Sequence, residues 1–174
     1  MTPENTTATP GTDFTISRIL SAPRILVYKA WTEPERMAQW STFGDSSLSF
    51  NSFDLRPGGL LHSVMRSPDG GEMWGRSIFE EIVPGEHVSY IQSFSDADGG
   101  ITRHPLSETW PLRMHTTLSF EDAGGGRTSL TIRWRPVDAN EAEQQTFDTS
   151  HDGMRQGWEG MLDNLSAYLA KVES

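Results

Sequence analysis

The histidines are the side chains of this sequence best suited to proton transfer or metal binding. Five occur in 174 residues: His62, His87, His104, His115 and His151. They do not show the spacing of an HExxH zinc site, and the chain contains no cysteine. A serine on a GxSxG turn, which would suit nucleophilic catalysis, is also missing. We therefore predict no catalytic motif, no metal site and no cofactor.

Three of these histidines remain candidates for polar contacts with a ligand. His151 falls within the apolar arc of the last predicted helix, one turn before Arg155, and could donate a hydrogen bond into a cavity; the alternative is a solvated helix end. His104 and Arg103 lie in the polar connection from 96 to 109, and loops of that length often line a functional mouth. His62 lies on a predicted strand, where a one-residue register error reverses the face.

Aromatic and methionine side chains supply a second group of candidates, because six Trp and seven Met are many for a chain of this length. Tryptophan offers a large rigid face with one donor, and methionine adapts its shape to a ligand. The residues that could line one apolar space are Trp74, Phe94, Trp110, Met114, Met154 and Trp158. A filled core and an open cavity are both compatible with this pattern.

Length and charge limit the classes of protein that this chain could be. We predict a disordered tail over 1–12, rich in Thr and Pro, and a single domain over 13–174. The net charge is −10, which opposes binding to nucleic acid or to an anionic membrane surface. The segment from Met1 to Asp13 lacks the basic and apolar stretches of a signal peptide, and no run is apolar enough to span a bilayer. We therefore expect a cytoplasmic protein without stable membrane insertion.

The last stretch of the chain, from Asp138 to Val172, is the element expected to position these candidates. Apolar residues fall on one arc at the helical pitch, and acidic residues fall on the opposite face. Gly153, Gly157 and Gly160 form a flank of small residues, although each glycine costs a helix roughly 1 kcal/mol relative to alanine. We interpret this flank as a surface that a curved sheet approaches closely.

The order of elements predicts the fold class. One strand is followed by two short helices, about six strands joined mostly by short turns, and the long final helix. Short turns join antiparallel neighbours. The sequence therefore predicts an α+β protein in which a curved antiparallel sheet of six to seven strands wraps around the C-terminal helix, with the two short helices at one end.

Several strings in this order resemble a known family. They are Ala30-Trp31-Thr32-Glu33-Pro34-Glu35, Arg56-Pro57-Gly58-Gly59, Ile82-Val83-Pro84, Ser93-Phe94-Ser95-Asp96, Thr102-Arg103-His104-Pro105, Trp110-Pro111 and Gln156-Gly157-Trp158. The chain resembles bacterial members of the SRPBCC superfamily, which is START-like and birch-pollen-allergen-like. More narrowly, it is similar to proteins homologous to the C-terminal domain of the activator of the heat-shock-protein-90 ATPase.

The resemblance implies a helix-grip fold with a hydrophobic cavity between the sheet and the long helix. Members of the superfamily bind lipids, polyketides and other apolar molecules, so the leading hypothesis is a non-catalytic module that binds a small hydrophobic or amphipathic ligand. One alternative is a cyclase-like or hydratase-like enzyme with His151 or His104 as proton donor. Another is an interaction protein that resembles the chaperone activator. The exposed edges of an open sheet also leave room for a homodimer.

Overall fold

The computed structural model describes residues 13–42 and 44–173, so the predicted tail over 1–12 lies outside the described residues. The strands are β1 (Phe14–Leu20), β2 (Ser47–Phe53), β3 (Leu60–Arg66), β4 (Glu72–Val83), β5 (His87–Ser95), β6 (Ile101–Thr102), β7 (Met114–Gly124) and β8 (Arg127–Pro136). The helices are α1 (Arg24–Thr32), α2 (Pro34–Trp40), α3 (Glu141–Thr149) and α4 (His151–Glu173).

All the strands belong to one antiparallel sheet, in the order β1-β8-β7-β5-β4-β3-β2, with the two-residue β6 paired to β5 outside this path. The chain therefore carries β1 to the far side of the sheet, next to the last strand, while β2 forms the opposite edge. The α+β class and the helix-grip arrangement are confirmed. The seven strands of the main path match the predicted number, and β6 adds a short eighth.

Side chains alternate between the two faces of the sheet, and the strand register shows which of them share a face. One row of neighbouring partners crosses the sheet through Phe14, Trp134, Thr116, Tyr90 and Phe79. Phe14, Thr116 and Phe79 are buried in this row, so it belongs to the concave, helix-covered face. Along each strand, the residues that alternate with the members of this row point to the convex face.

The two short helices close one end of the concave face. The hydroxyl of Thr32, the last residue of α1, donates to the Tyr28 carbonyl oxygen at 2.8 Å. Glu33 is the extended residue that begins α2, because the following Pro34 disfavours a helical conformation in the residue before it. Trp40 is 1% exposed, and its indole N–H donates to the Ala30 carbonyl oxygen at 3.0 Å, which fixes α2 against α1.

The predicted C-terminal helix is divided in two at Ser150. It begins at Glu141 rather than Asp138, because Asn140 and Glu143 form a capping box that satisfies the first backbone donors. The side chains that α4 buries recur at helical spacing: Met154, Met161, Leu162, Leu165, Tyr168 and Leu169. At its far end α4 lies against β1, where Arg18 pairs with Asp163 at 3.0 Å.

No described residue of the sheet packs against the glycines of α4, so the interpretation of a close-packed flank is wrong. Gly153, Gly157 and Gly160 are exposed, and a Cβ added at any of them would meet nothing within 4 Å. Helical periodicity separates an apolar face from its flanks, but it does not show whether a flank is covered. The curved sheet diverges from this side of α4, and the space between them stays open.

Replacing an uncovered helix glycine should stabilise the protein. We expect Gly160→Ala to raise the free energy of unfolding by about 0.5–1 kcal/mol, because alanine loses less backbone entropy in a helix and its Cβ meets no neighbour. Urea denaturation followed by circular dichroism measures the change. A loss of stability would show that the sheet does approach this flank.

Candidate functional site: a tryptophan-lined cavity

A cavity of about 410 Å³ occupies the space between α4 and strands β2 to β5. From α4 come Met154, Gly157, Trp158 and Met161, and from the sheet come mainly apolar side chains of its concave face, with Trp134 of β8 beside them. The sheet residues of the wall include Leu48, Phe50, Leu61, Met65, Phe79 and Tyr90. Gly157 is exposed and also borders the cavity, so the bare helix backbone forms part of its entrance.

A smaller cavity of about 180 Å³ adjoins the first. Gly75 borders both cavities, and so do Met65 and Gln92. The second cavity extends towards Trp110 in the connection before β7 and towards Met114, the first residue of β7. Because glycine adds no side chain where the two spaces meet, the concave face carries one elongated depression with two lobes.

Three tryptophan rings form one wall of the main cavity. The ring of Trp158 lies 6.1 Å from that of Trp31 on α1 and 5.4 Å from that of Trp134 on β8, measured between centroids. The indole nitrogens of all three rings are shielded from solvent and have no hydrogen-bond partner among the described residues. An unpaired buried donor costs about 1–3 kcal/mol. These three rings hold three of the five buried side-chain N and O atoms that lack a partner among the described residues.

The polar groups of the sheet wall are neutral. Gln92 accepts a hydrogen bond at Oε1 from Thr116 Oγ1 at 2.9 Å, and Ser63 and Ser77 lie on the neighbouring strands. Burial raises the pKa of the Tyr90 phenol far above its ordinary value, so this group stays protonated. These side chains can exchange hydrogen bonds with a ligand, but they bring no charge to it.

Arg76 borders the main cavity through its position between Gly75 and Ser77, but its guanidinium group points elsewhere. Strand alternation directs this side chain to the convex face, where Nη1 donates to the Gly99 carbonyl oxygen at 2.7 Å. Its register partner on β3 is His62, whose Nε2 lies 3.1 Å from the Asp96 carbonyl oxygen. Both side chains therefore hold the loop after β5 against the outside of the sheet.

The convex face also carries Trp74. Its ring stacks on His62 with centroids 4.9 Å apart, so these two predicted ligand contacts belong together but not to the main cavity. Trp74 borders the second cavity from a strand position whose neighbours Met73 and Gly75 face inwards. The residues sort cleanly by strand alternation, which places His62 and Trp74 on the opposite side of the sheet from the tryptophan wall.

The connection before β7 is fastened to the start of α3 by Arg103. Its guanidinium group pairs with Glu143, which is 6% exposed and also completes the capping box. The hydrogen bond from Arg103 and then the Asn140 backbone N–H lower the pKa of Glu143, so the pair stays ionised at neutral pH. Nearby, Thr146 donates to Thr109 at 2.7 Å.

His104 and His151 lie in a chain of ring contacts behind the cavity walls. His104 contacts Phe94 and Trp110, with centroids 4.8 and 6.0 Å apart, and burial lowers its pKa. His151 packs edge-on against Phe147 at 5.1 Å and Phe14 at 5.6 Å, and its Nε2 is buried without a partner. Neither imidazole is among the described residues that line the two cavities.

The predicted residues are therefore divided among four places. Met154 and Trp158 line the main cavity, whereas Phe94, Trp110 and Met114 line the second. His62 and Trp74 stack on the convex face, Arg103 binds α3, and the two other histidines join aromatic contacts. Sequence reasoning missed Trp31 and Trp134 as cavity residues. Trp134 continues the alternation of Leu130 and Ile132, which is the signal that could have found it.

No group of three or more histidine, aspartate or glutamate side chains within residues 13–42 and 44–173 is arranged to hold a metal ion. In the same part of the chain, none of the helices combines the length and apolar character needed to cross a bilayer.

The two kinds of tryptophan in this structure should respond differently to truncation. Trp40→Ala should lower the free energy of unfolding by about 3–5 kcal/mol, because it empties a sealed site and leaves the Ala30 carbonyl oxygen unpaired. Trp158→Ala should cost appreciably less, since this ring already borders open space and its N–H has no partner to lose. Denaturant unfolding of both variants checks the order, and equal losses would contradict an open cavity beside Trp158.

The described geometry can be compared with that of known proteins. Residues 21–170 match the family described as Activator of Hsp90 ATPase homolog 1-like protein. The search of curated proteins finds no match.

Solved structures share the fold across most of the chain. Protein Ms6760 from Mycobacterium smegmatis is 23% identical over 90% of each chain, with a TM-score of 0.70. A protein from Staphylococcus epidermidis is 23% identical over 94% of this chain and 92% of its own, with a TM-score of 0.73. A protein from Rhizobium leguminosarum is 26% identical over 92% and 95%, with a TM-score of 0.64. With the family match over residues 21–170, the chain belongs to the Activator of Hsp90 ATPase homolog 1-like family of the SRPBCC superfamily.

Proposed function

We propose that this protein is a non-catalytic binding module that holds a small hydrophobic or amphipathic molecule in the cavity between its sheet and α4. The observation that carries the proposal is the wall formed by Trp31, Trp134 and Trp158, whose indole donors are unpaired. Large apolar rings bind a ligand through buried area, and a few donors orient it.

The size of the cavity supports this function. A volume of about 410 Å³ falls within the range of roughly 300–1,000 Å³ that small-molecule sites occupy. The second lobe adds about 180 Å³ on the far side of Gly75. A space of this size with an apolar lining favours a molecule that water hydrates poorly, because burial of its apolar surface drives association.

The catalytic alternative has weaker support. General acid–base chemistry needs an ionisable group, with a pKa near the working pH, within hydrogen-bond reach of the reacting atom. His104 and His151 are absent from the described lining, and Tyr90, which does line the cavity, is a weak acid because burial raises its pKa. The chaperone-related alternative rests on the family description alone. The homodimer stays a proposal that the open edges β1 and β2 allow.

Substitutions at two glycines of α4 test where the ligand binds. Gly157 borders the cavity and Gly160 does not, although both are exposed and neither would place a Cβ within 4 Å of another atom. We expect Gly157→Leu to weaken binding of an apolar fluorescent probe about tenfold or more by filling the entrance, a loss of roughly 1.4 kcal/mol. Gly160→Leu is the matched control and should bind like the wild type.

Both variants should be at least as stable as the wild type in denaturant unfolding, which separates blocked access from misfolding. Native mass spectrometry of freshly purified protein supplies an independent observation, since a retained natural ligand appears as an added mass. Equal probe binding by the two variants would place the site outside this cavity. Absence of both a retained molecule and any probe binding would remove the proposed function.

A further inference from the structure

We propose that the ligand is an uncharged molecule with oxygen acceptors, such as a ketone, amide, ester or alcohol on an apolar body, and not a fatty acid or another anion. The inference rests on the proposed function and names the chemistry of the molecule that fits that site. It follows from the charges and hydrogen-bond donors of the cavity walls.

The walls contain no charged group directed at a ligand. Among the described lining residues of both cavities, Arg76 is the one charged side chain, and its guanidinium group donates to the Gly99 carbonyl oxygen beyond the convex face. Arg103 lies outside both linings and is paired with Glu143. A carboxylate or phosphate in this space would therefore have no cation beside it.

The walls offer unpaired hydrogen-bond donors. The Gln92 amide uses Oε1 to accept from Thr116, which leaves its two N–H groups without a partner among the described residues. Trp31, Trp134 and Trp158 line the same cavity and carry three further unpaired indole N–H groups, which are buried beside it. The Gln92 N–H groups suit a ligand that accepts hydrogen bonds, and the indole N–H groups would reach its oxygen atoms on rotation of their rings.

This arrangement favours the binding of neutral hydrogen-bond acceptors and disfavours the binding of ions. Moving a hydroxyl or carbonyl group from water into the cavity exchanges hydrogen bonds with water for bonds to unpaired donors, so the cost of desolvation is offset. An ionised carboxylate loses a much larger hydration energy, and burial without a cation shifts its own pKa upward towards the neutral form. The net charge of −10 adds a weak, salt-screened repulsion of anions.

Three ligands with eight carbon atoms each isolate the effect of charge: octanamide, octanoate and octylammonium. Isothermal titration calorimetry at pH 7.5 measures each of them on the wild-type protein. We expect octanamide to bind about tenfold or more tightly than either ion. As the pH falls towards the pKa of octanoic acid, octanoate should approach the affinity of octanamide, while octanamide itself should not change.

A positive charge introduced into the wall should reverse the preference. Ser63 borders both cavities, and Ser63→Arg places a guanidinium group beside the ligand, whereas Ser63→Gln adds a long neutral side chain as the matched control. We expect Ser63→Arg to favour octanoate over octanamide and Ser63→Gln to keep the wild-type order. Circular dichroism verifies that each variant is folded. If either variant is not folded, the comparison of the three ligands on the wild-type protein decides the proposal.

The outcomes separate this inference from the function on which it rests. Wild-type binding of octanoate as tight as that of octanamide at pH 7.5 overturns the neutral-ligand inference and leaves the binding function standing. Binding of none of the three ligands, together with no binding of an apolar probe, counts against the function itself. Tight octanamide binding that Gly157→Leu abolishes supports both.

Discussion

One helix cannot cover the concave face of a seven-stranded sheet, and the rest of this structure depends on that mismatch. Neighbouring strands lie about 4.8 Å apart, so the main path is roughly 30 Å wide, whereas a helix with its side chains is about 10–12 Å across. α4 packs beside β1, and α1 and α2 close one end. The concave surface of β2 to β5 is left over, and there the tryptophans line a cavity instead of filling it.

Element order and turn lengths were sufficient to predict the fold. It was harder to predict which side chains of each strand face inwards. On β8 the run Leu130, Ile132, Trp134 alternates with Thr131, Arg133 and Arg135, so its face could have been assigned from the sequence. On β4 the two alternating sets are mixed, because Trp74 shares a face with Arg76 while the inward set includes Gly75. The presence of tryptophan at position 74 suggested a cavity contact, but strand alternation directs the Trp74 ring to the convex face.

The cavity also shows why apolar composition alone does not distinguish a core from a binding site. Trp40 and Trp31 are neighbours on short helices, with ring centroids 4.7 Å apart, yet the first N–H is bonded and the second is not. Only the three-dimensional arrangement separates a ring that completes the packing from one that borders a space. The same holds for the glycines of α4. Their flank was expected from the sequence to be covered by the sheet, but the structure leaves it open.

Glu143 joins two parts of the molecule that are distant in sequence. Its carboxylate caps the start of α3 through the Asn140 N–H and also pairs with Arg103, so both attachments depend on one side chain. Detachment of the connection that carries Trp110 would therefore leave the buried carboxylate of the cap without its cation. This shared side chain couples the two segments, and their amide hydrogens should exchange with solvent through linked opening events.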